Sequence, residues 1–272
     1  MTTADFDYIR NFVRDQAAIV LEPGKEYLVE SRLHSLARKE NFASLDSLIR
    51  QLRTQPNNGL HRKMVDAMTT NETSFFRDIH PFEAMKKSIL PELLARRAQE
   101  RQLHFWCGAA STGQEPYSLL MLIAEHFPEL LKWDFKFVAT DLCGEVLARA
   151  RVGRFSQLEV NRGLPATLLV KYFVRQGAEW EIREDLRRRV DFREMNLVKD
   201  WLWMPPQDIV FLRNVLIYFN VETKRAILAK VRRLLRPGGY LLLGGAETTF
   251  NVDDAFERVV FDKTICYRVK HV

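Results

Sequence analysis

A chain of 272 residues, 47% hydrophobic and 28% charged, can bury one full core or a large and a small one, and its balance excludes a disordered or fibrous protein. The formal net charge of +6 favours acidic partners, whether nucleic acid, an anionic membrane surface or an acidic protein, and does not choose among them. No apolar run reaches the roughly 20 residues needed to cross a bilayer, and the opening "MTTADFDYIRNFVRDQ" lacks a basic region followed by an apolar one, so a cytoplasmic chain without membrane insertion is expected.

The first 75 residues read as helical. Asp5 to Val20 carries Phe6, Ile9, Phe12 and Val13 near helical spacing. Lys25 to Lys39 carries Val29, Leu33 and Leu36, and Ser44 to Leu52 carries Leu45, Leu48, Ile49 and Leu52. "EPGKE" and "QPNNG" are turn signals between these runs, and a last helix from Leu60 to Met68 leads into "TTNETSFFRD". Residues 1–75 are therefore expected to form a small helical domain, with 76–103 as an interdomain linker or helix.

From His104 strands and helices alternate: "LHFWC", "FKFVATD", "RVDFREM", "DIVFLRN" and "GYLLLGGAE" are strand-like, and the helical runs between several of them fit a parallel sheet with crossovers. Such a sheet binds ligands beyond the carboxyl ends of its strands. The tail "FERVVFDKTICYRVK" fits two more strands or a helix end plus a strand. At approximately 156–190 the alternation breaks, and "KYFVRQGAEWEIREDLRRRV" predicts a helix leading into two antiparallel strands that turn at "QGAEW". The three cysteines, Cys107, Cys143 and Cys266, are too scattered for a disulfide framework or a zinc site. The histidines have no metal-ligand spacing, and no metal is expected. Trp201 and Trp203 in "DWLWMPP" read as packing residues and "EDLRRRV" as a solvated face.

The loop in "HFWCGAASTGQEPYS" lies between a strand and a helix, where small residues allow backbone amides to approach a ligand. It lacks the GxGxxG spacing of a pyrophosphate loop, and no lysine follows Gly113 as in a P-loop. Glu115 stands there instead, a carboxylate suited to a cationic group. Asp141 ends the next strand at "VATD", where an acid can accept from both hydroxyls of a ribose. A nucleoside with a positively charged amino-acid tail fits both acids, and S-adenosylmethionine is such a molecule. Each acid alone could equally cap its own helix; their occurrence at consecutive strand ends favours the cofactor. "LLRPGGYLLLGG" recurs in S-adenosylmethionine-dependent methyltransferases.

Four stretches together, "TNETSFFRD", "AASTGQEPYS", "ATD" and "RNVLIYF", resemble the CheR family of chemotaxis receptor methyltransferases over nearly the whole chain. The resemblance implies a Rossmann-like class I methyltransferase sheet, an α/β fold spanning 104–272, with a small N-terminal all-α domain and a small inserted antiparallel β subdomain. It implies methyl transfer from S-adenosylmethionine to receptor glutamates, leaving S-adenosylhomocysteine, by a monomer recruited to membrane-bound receptor arrays. By the same resemblance Asn71, Thr73 and Arg77 close over the cofactor, Glu115 holds the amino group, Asp141 the ribose, and Asn196 with Leu197 the adenine. Arg213, Asn214 and Tyr218 line the side facing the substrate, and Arg77 and Tyr218 are the candidate catalytic residues. From periodicity alone Tyr218 fits a core aromatic equally well, and Arg77 a surface residue at a helix end.

The basic charge keeps a nucleic-acid methyltransferase as a rival, but "LRNVLIY" stands where amino-methylating enzymes carry an Asp/Asn-Pro-Pro-aromatic motif. A non-catalytic module that binds the cofactor is the second rival, opposed by the joint presence of Arg77, Glu115, Asp141 and Tyr218. In the second helix Lys25, Arg32 and Lys39 are seven apart along one edge of the apolar stripe, and Arg38 points elsewhere at a position that is basic in the family. These four are the expected contacts for glutamate-rich receptor helices. One branch of the family docks a receptor C-terminal peptide on the inserted strands through a glycine-rich loop. Here "RQGAEWEI" has the single glycine Gly177, which predicts recognition without such a tether.

Overall fold

The computed structural model describes residues 1–55 and 58–270, so that Pro56 and Asn57 of the expected "QPNNG" turn lie outside the described residues. The chain forms two compact units, Met1–Thr70 with Tyr218–Thr223, and Asn71–Ile217 with Lys224–Val272.

The first unit contains four helices, α1 (Thr3–Ala17), α2 (Glu26–Lys39), α3 (Leu45–Thr54) and α4 (Gly59–Met68). Side-chain caps start three of them: Thr2, Ser44 and Asn58 each accept a backbone N–H of the first turn, offsetting the donors a helix start leaves unpaired. The apolar positions at helical spacing turn inward, and Ile9, Val13, Val29, Leu33, Leu48 and Met64 are fully buried. The division between units falls at residue 70 rather than 75. Phe75 is fully buried against Phe155 and Phe173 of the second unit, and this packing claims the residues before it.

The second unit begins with α5 (His80–Ala84), a π-turn over Met85–Ile89 and α6 (Leu90–Arg96), whose apolar side chains join the main core. These helices, within the stretch expected as a linker or helix, are thus part of the second unit. There follow β1 (Gln102–Gly108), α7 (Gln114–His126), β2 (Asp134–Asp141), α8 (Gly144–Val152), β3 (Arg154–Ser156), α9 (Gln157–Asn161), α10 (Ala166–Tyr172), β4 (Phe173–Gln176), β5 (Glu179–Ile182) and α11 (Glu184–Arg187). The chain continues through β6 (Val190–Glu194), β7 (Gln207–Leu212), α12 (Val221–Leu234), β8 (Leu235–Leu243), β9 (Phe256–Phe261) and β10 (Thr264–Val269).

The main sheet has the order β6-β2-β1-β7-β8-β10-β9. Its first five strands are mutually parallel, and β10 pairs antiparallel with both β8 and β9. The central strands are buried on both faces, which is why residues 105–107 of β1 and 209–212 of β7 read as unbroken apolar runs instead of alternating ones. The tail forms two strands, resolving that alternative. In the inserted region β4 and β5 form the expected hairpin, and β3 adds a third strand beyond β5, with Phe155 opposite Trp180. Among the described residues no helix is long and apolar enough to cross a membrane.

Parallel register aligns the strand ends that matter. Gly108 at the end of β1 lies opposite Thr140 of β2 and Leu212 of β7, so the loops beginning at Ala109, Leu142 and Arg213 leave the sheet side by side.

Candidate cofactor and catalytic site

The loop after β1 is folded by left-handed backbone at Ala109 (φ 55°), Ser111 (φ 50°) and Gly113 (φ 95°). Gly113 is the N-cap residue just before α7, and at that φ a side chain would be strained, which gives this glycine a conformational reason. The Ala110 N–H donates to the Thr140 carbonyl at 2.9 Å and seats the loop on the end of β2. The next donor, the Ser111 N–H, reaches Asp141 Oδ2 at 2.8 Å, while the Cys143 N–H reaches Oδ1 at 2.9 Å. Asp141 is buried, and burial raises its carboxyl above the ordinary 3.8, opposed by the N–H groups of Cys143, Ser111 and Leu142. Its partners are backbone amides rather than a cation.

Glu115 lies in the first turn of α7, where a carboxylate also complements the helix dipole. Among the described residues its oxygens meet side chains rather than the N–H groups of the helix start. Oε2 accepts from Arg213 Nη1 at 2.5 Å and Oε1 from the Cys107 thiol at 3.2 Å. Burial, and then the charge of Glu115, push the Cys107 thiol well above its ordinary range, which keeps it a protonated donor. Arg213 is buried, and its Nη2 donates to Asp78 Oδ2 at 2.7 Å and to the Arg77 carbonyl at 3.1 Å. Two carboxylates against one guanidinium leave this array with a formal charge of −1.

Arg77 is half-buried, with Nη1 donating to the Glu72 carbonyl at 3.0 Å. Its segment is anchored on one side by the Phe76 N–H to Ser118 Oγ at 3.0 Å, and on the other by Arg213. Asn71 is tied to the cofactor loop, its carbonyl accepting from Ser111 Oγ at 2.7 Å. Thr73 is half-buried between them in the chain. Asn196 and Leu197 follow β6, which pairs with β2, and the preceding Met195 N–H donates to the Asp141 carbonyl at 2.9 Å. Asn196 Oδ1 accepts from the Val198 N–H at 3.1 Å and the Leu197 carbonyl from Lys230 Nζ at 2.6 Å, fixing that loop.

The structure does not gather every expected residue at one place. Tyr218 ends a 3-10 turn over Leu216–Tyr218, groups with the helical unit, and accepts the Val20 N–H at its carbonyl at 3.0 Å. Lys25, Arg38 and Lys39 are exposed on or beside α2, with Lys25 3.5 Å from Glu22. Arg32 departs from the expected exposed role. Its guanidinium donates to the Met68 carbonyl at 2.6 Å and to Thr70 Oγ1 at 2.8 Å, and burial lowers its pKa. The helical edge that carries it faces the end of α4, whose last carbonyls need donors.

Sequence reasoning passed over Asp78, Ser111 and Glu247. Asp78 follows Arg77 directly, and Ser111 was read only as a small loop residue. Glu247 stands in "GGAETT" just after an apolar strand, the same signal of an acid at a strand end that singled out Asp141.

This donor set fits S-adenosylmethionine. A carboxylate has about four acceptor sites, so Asp141 and Glu115 keep capacity beyond the bonds described, and the −1 array at Glu115 suits an ammonium group. Residues 71–265 match the model described as CheR methyltransferase, SAM binding domain, and residues 4–69 match CheR methyltransferase, all-alpha domain. The chain is 43% identical to chemotaxis protein methyltransferase 1 of Pseudomonas aeruginosa, covering 98% of each protein. It is 40% identical to chemotaxis protein methyltransferase Cher2 of Pseudomonas putida, again over 98% of each, and 39% identical to chemotaxis protein methyltransferase of Vibrio parahaemolyticus over 99% of each. The matched domains, the strand-end acids and the full-length likeness agree: the chain belongs to the CheR methyltransferase family, with S-adenosylmethionine as its cofactor.

Proposed function

We propose that this chain transfers a methyl group to glutamate side chains on the cytoplasmic helices of chemoreceptors, forming methyl esters. Full-length relatives named as chemotaxis protein methyltransferases support the reading. The observation that carries it is the Glu115–Arg213–Asp78 array, with Arg77 held beside it through its own carbonyl.

When bound, S-adenosylmethionine supplies a methyl group activated by a positive sulfur. Asp141 would receive the ribose hydroxyls and Glu115 the amino group, the Asn196–Leu197 loop would flank the base, and Asn71, Thr73 and Arg77 would close over them. The incoming glutamate is ionised near neutral pH, so no side chain has to remove a proton. What remains for the protein is to align the carboxylate and keep water away from two opposite charges. The planar guanidinium of Arg77 suits the first task. Arg213 acts behind it: with its charge outweighed by Glu115 and Asp78, it holds the backbone from which Arg77 projects.

Receptor recognition falls to Arg38, Lys39 and Lys25. The inserted sheet turns at a tight β4–β5 connection and commits Trp180 Nε1 to Gln157 Oε1 at 2.9 Å, which favours recognition without a docked peptide. Binding of a receptor C-terminal pentapeptide at micromolar concentration, abolished by Gly177→Val, would overturn that part.

Incubation with tritium-labelled cofactor and receptor-enriched membranes tests the whole reading. Label should enter receptor protein and be released by base as methanol. Label on nucleic acid, or none on receptors, would refute it.

A further inference from the structure

We propose that Glu247 is a positioning residue for this transfer, whose carboxylate holds the turn Asn214–Ile217 and so sets the substrate-facing wall of the site; the proposal rests on the function given above. After β8 the chain turns back, with the Glu247 N–H donating to the Gly244 carbonyl at 2.9 Å. Glu247 Oε2 then accepts from the N–H groups of Asn214 and Gly244, each at 2.7 Å. Its Oε1 accepts from the Val215 N–H at 2.8 Å and the Ile217 N–H at 3.3 Å. One acceptor-only group thus meets four backbone donors, three of them in the turn that follows Arg213.

The backbone is shaped for this contact. Asn214 is left-handed at φ 57°, an uncommon conformation that persists where surrounding contacts support it. Gly244 has no room for a side chain, since a Cβ would lie 2.6 Å from Asn214 Nδ2, 2.8 Å from the Asn214 nitrogen and 2.8 Å from Glu247 Oε2. Glutamine cannot replace the carboxylate: whichever oxygen becomes an amide nitrogen, two backbone N–H groups then face a donor. Aspartate is one methylene shorter and cannot span both sets of donors.

The experiment compares the full chain with Glu247→Gln and Gly244→Ala by three readouts: steady-state methylation of receptor, calorimetric affinity for S-adenosylhomocysteine, and hydrogen exchange at the Asn214 and Val215 amides. The expected result for Glu247→Gln is a kcat lower by about a hundredfold, from misplacement of the substrate wall. Cofactor-product affinity should stay within about threefold, separating alignment from uniform binding, and both amides should exchange faster. A wild-type kcat, or equal losses of kcat and affinity, would overturn the proposal. If Glu247→Gln fails to fold, Gly244→Ala carries the same expectations, and a wild-type kcat there overturns it equally. Should the wild-type chain methylate no receptor, the functional reading falls, while unchanged amide exchange in Glu247→Gln would refute the hold on the turn independently.

Discussion

Two buried aspartates at opposite ends of the main sheet have been given different surroundings. Asp208, at the start of β7, is fully buried, 2.9 Å from Arg97 Nε and 3.5 Å from Arg236 Nη1, and also accepts the His104 N–H at 2.9 Å. Asp141, at the end of β2, is nearly as buried, and its partners among the described residues are backbone amides. The first carboxylate is neutralised by its own protein and ties α6, β1 and β8 together. The second bears its desolvation with no cation, an arrangement found where a ligand is to be bound. Burial alone does not mark a functional acid; the identity of its partners does.

The largest test of this contrast is Asp208→Ala, which would leave Arg97 without its buried carboxylate and with the more exposed Glu100 as its ion-pair partner. A loss of about 3–5 kcal/mol in unfolding free energy is expected by urea denaturation. A loss below about 1 kcal/mol, the worth of a surface pair, would mean that the Asp208 cluster is not structural. Next comes Arg77→Ala, on the functional side. Turnover should fall about a hundredfold while S-adenosylhomocysteine affinity, measured by calorimetry, falls by less; full turnover would remove Arg77 from the reaction.

Asp141→Asn sharpens the comparison further. S-adenosylhomocysteine binding should weaken by about 1–3 kcal/mol, with a smaller effect on stability than Asp208→Ala. The pH dependence has a definite sign. Because burial raises the Asp141 carboxyl above 3.8, its contribution to stability is complete below 3.8 and is lost as pH rises through the raised value. Cofactor binding should run the other way, weakening as pH falls through that value and the charged acceptor disappears. Calorimetric titrations across this acid range should show the trend in the wild type and not in Asp141→Asn.

The smallest expected effect concerns the surface. Arg38→Glu should slow receptor methylation by about threefold at low salt, and less as salt is raised, through loss of electrostatic attraction. An unchanged rate and salt dependence would exclude that face. Arg32→Glu should instead destabilise the helical unit, because its guanidinium closes the end of α4.

Much of the architecture was legible from local pattern. Helical spacing identified helices in the first unit, and the runs "LHFWC", "FKFVATD" and "DIVFLRN" marked strands of a parallel sheet. Gly113, Glu115 and Asp141 could be singled out because a strand-end loop restricts which residues suit a ligand. The boundary near residue 70 was harder to read. "SFF" looks like a helix end, and Phe75 packs in the second unit against rings far along the chain, at Phe155 and Phe173.

The sequence by itself determined the alternation of elements, because backbone periodicity and turn chemistry act within a few residues, and it determined which strand ends carry acids. Tertiary structure alone decided what those acids meet. Glu115 faces Arg213 across 98 residues of chain, Glu247 faces Asn214 across 33, and Arg32 reaches Met68 across 36. A charge acts through distance and burial, and neither exists until the sheet has aligned its strand ends and the helices have closed over their apolar faces.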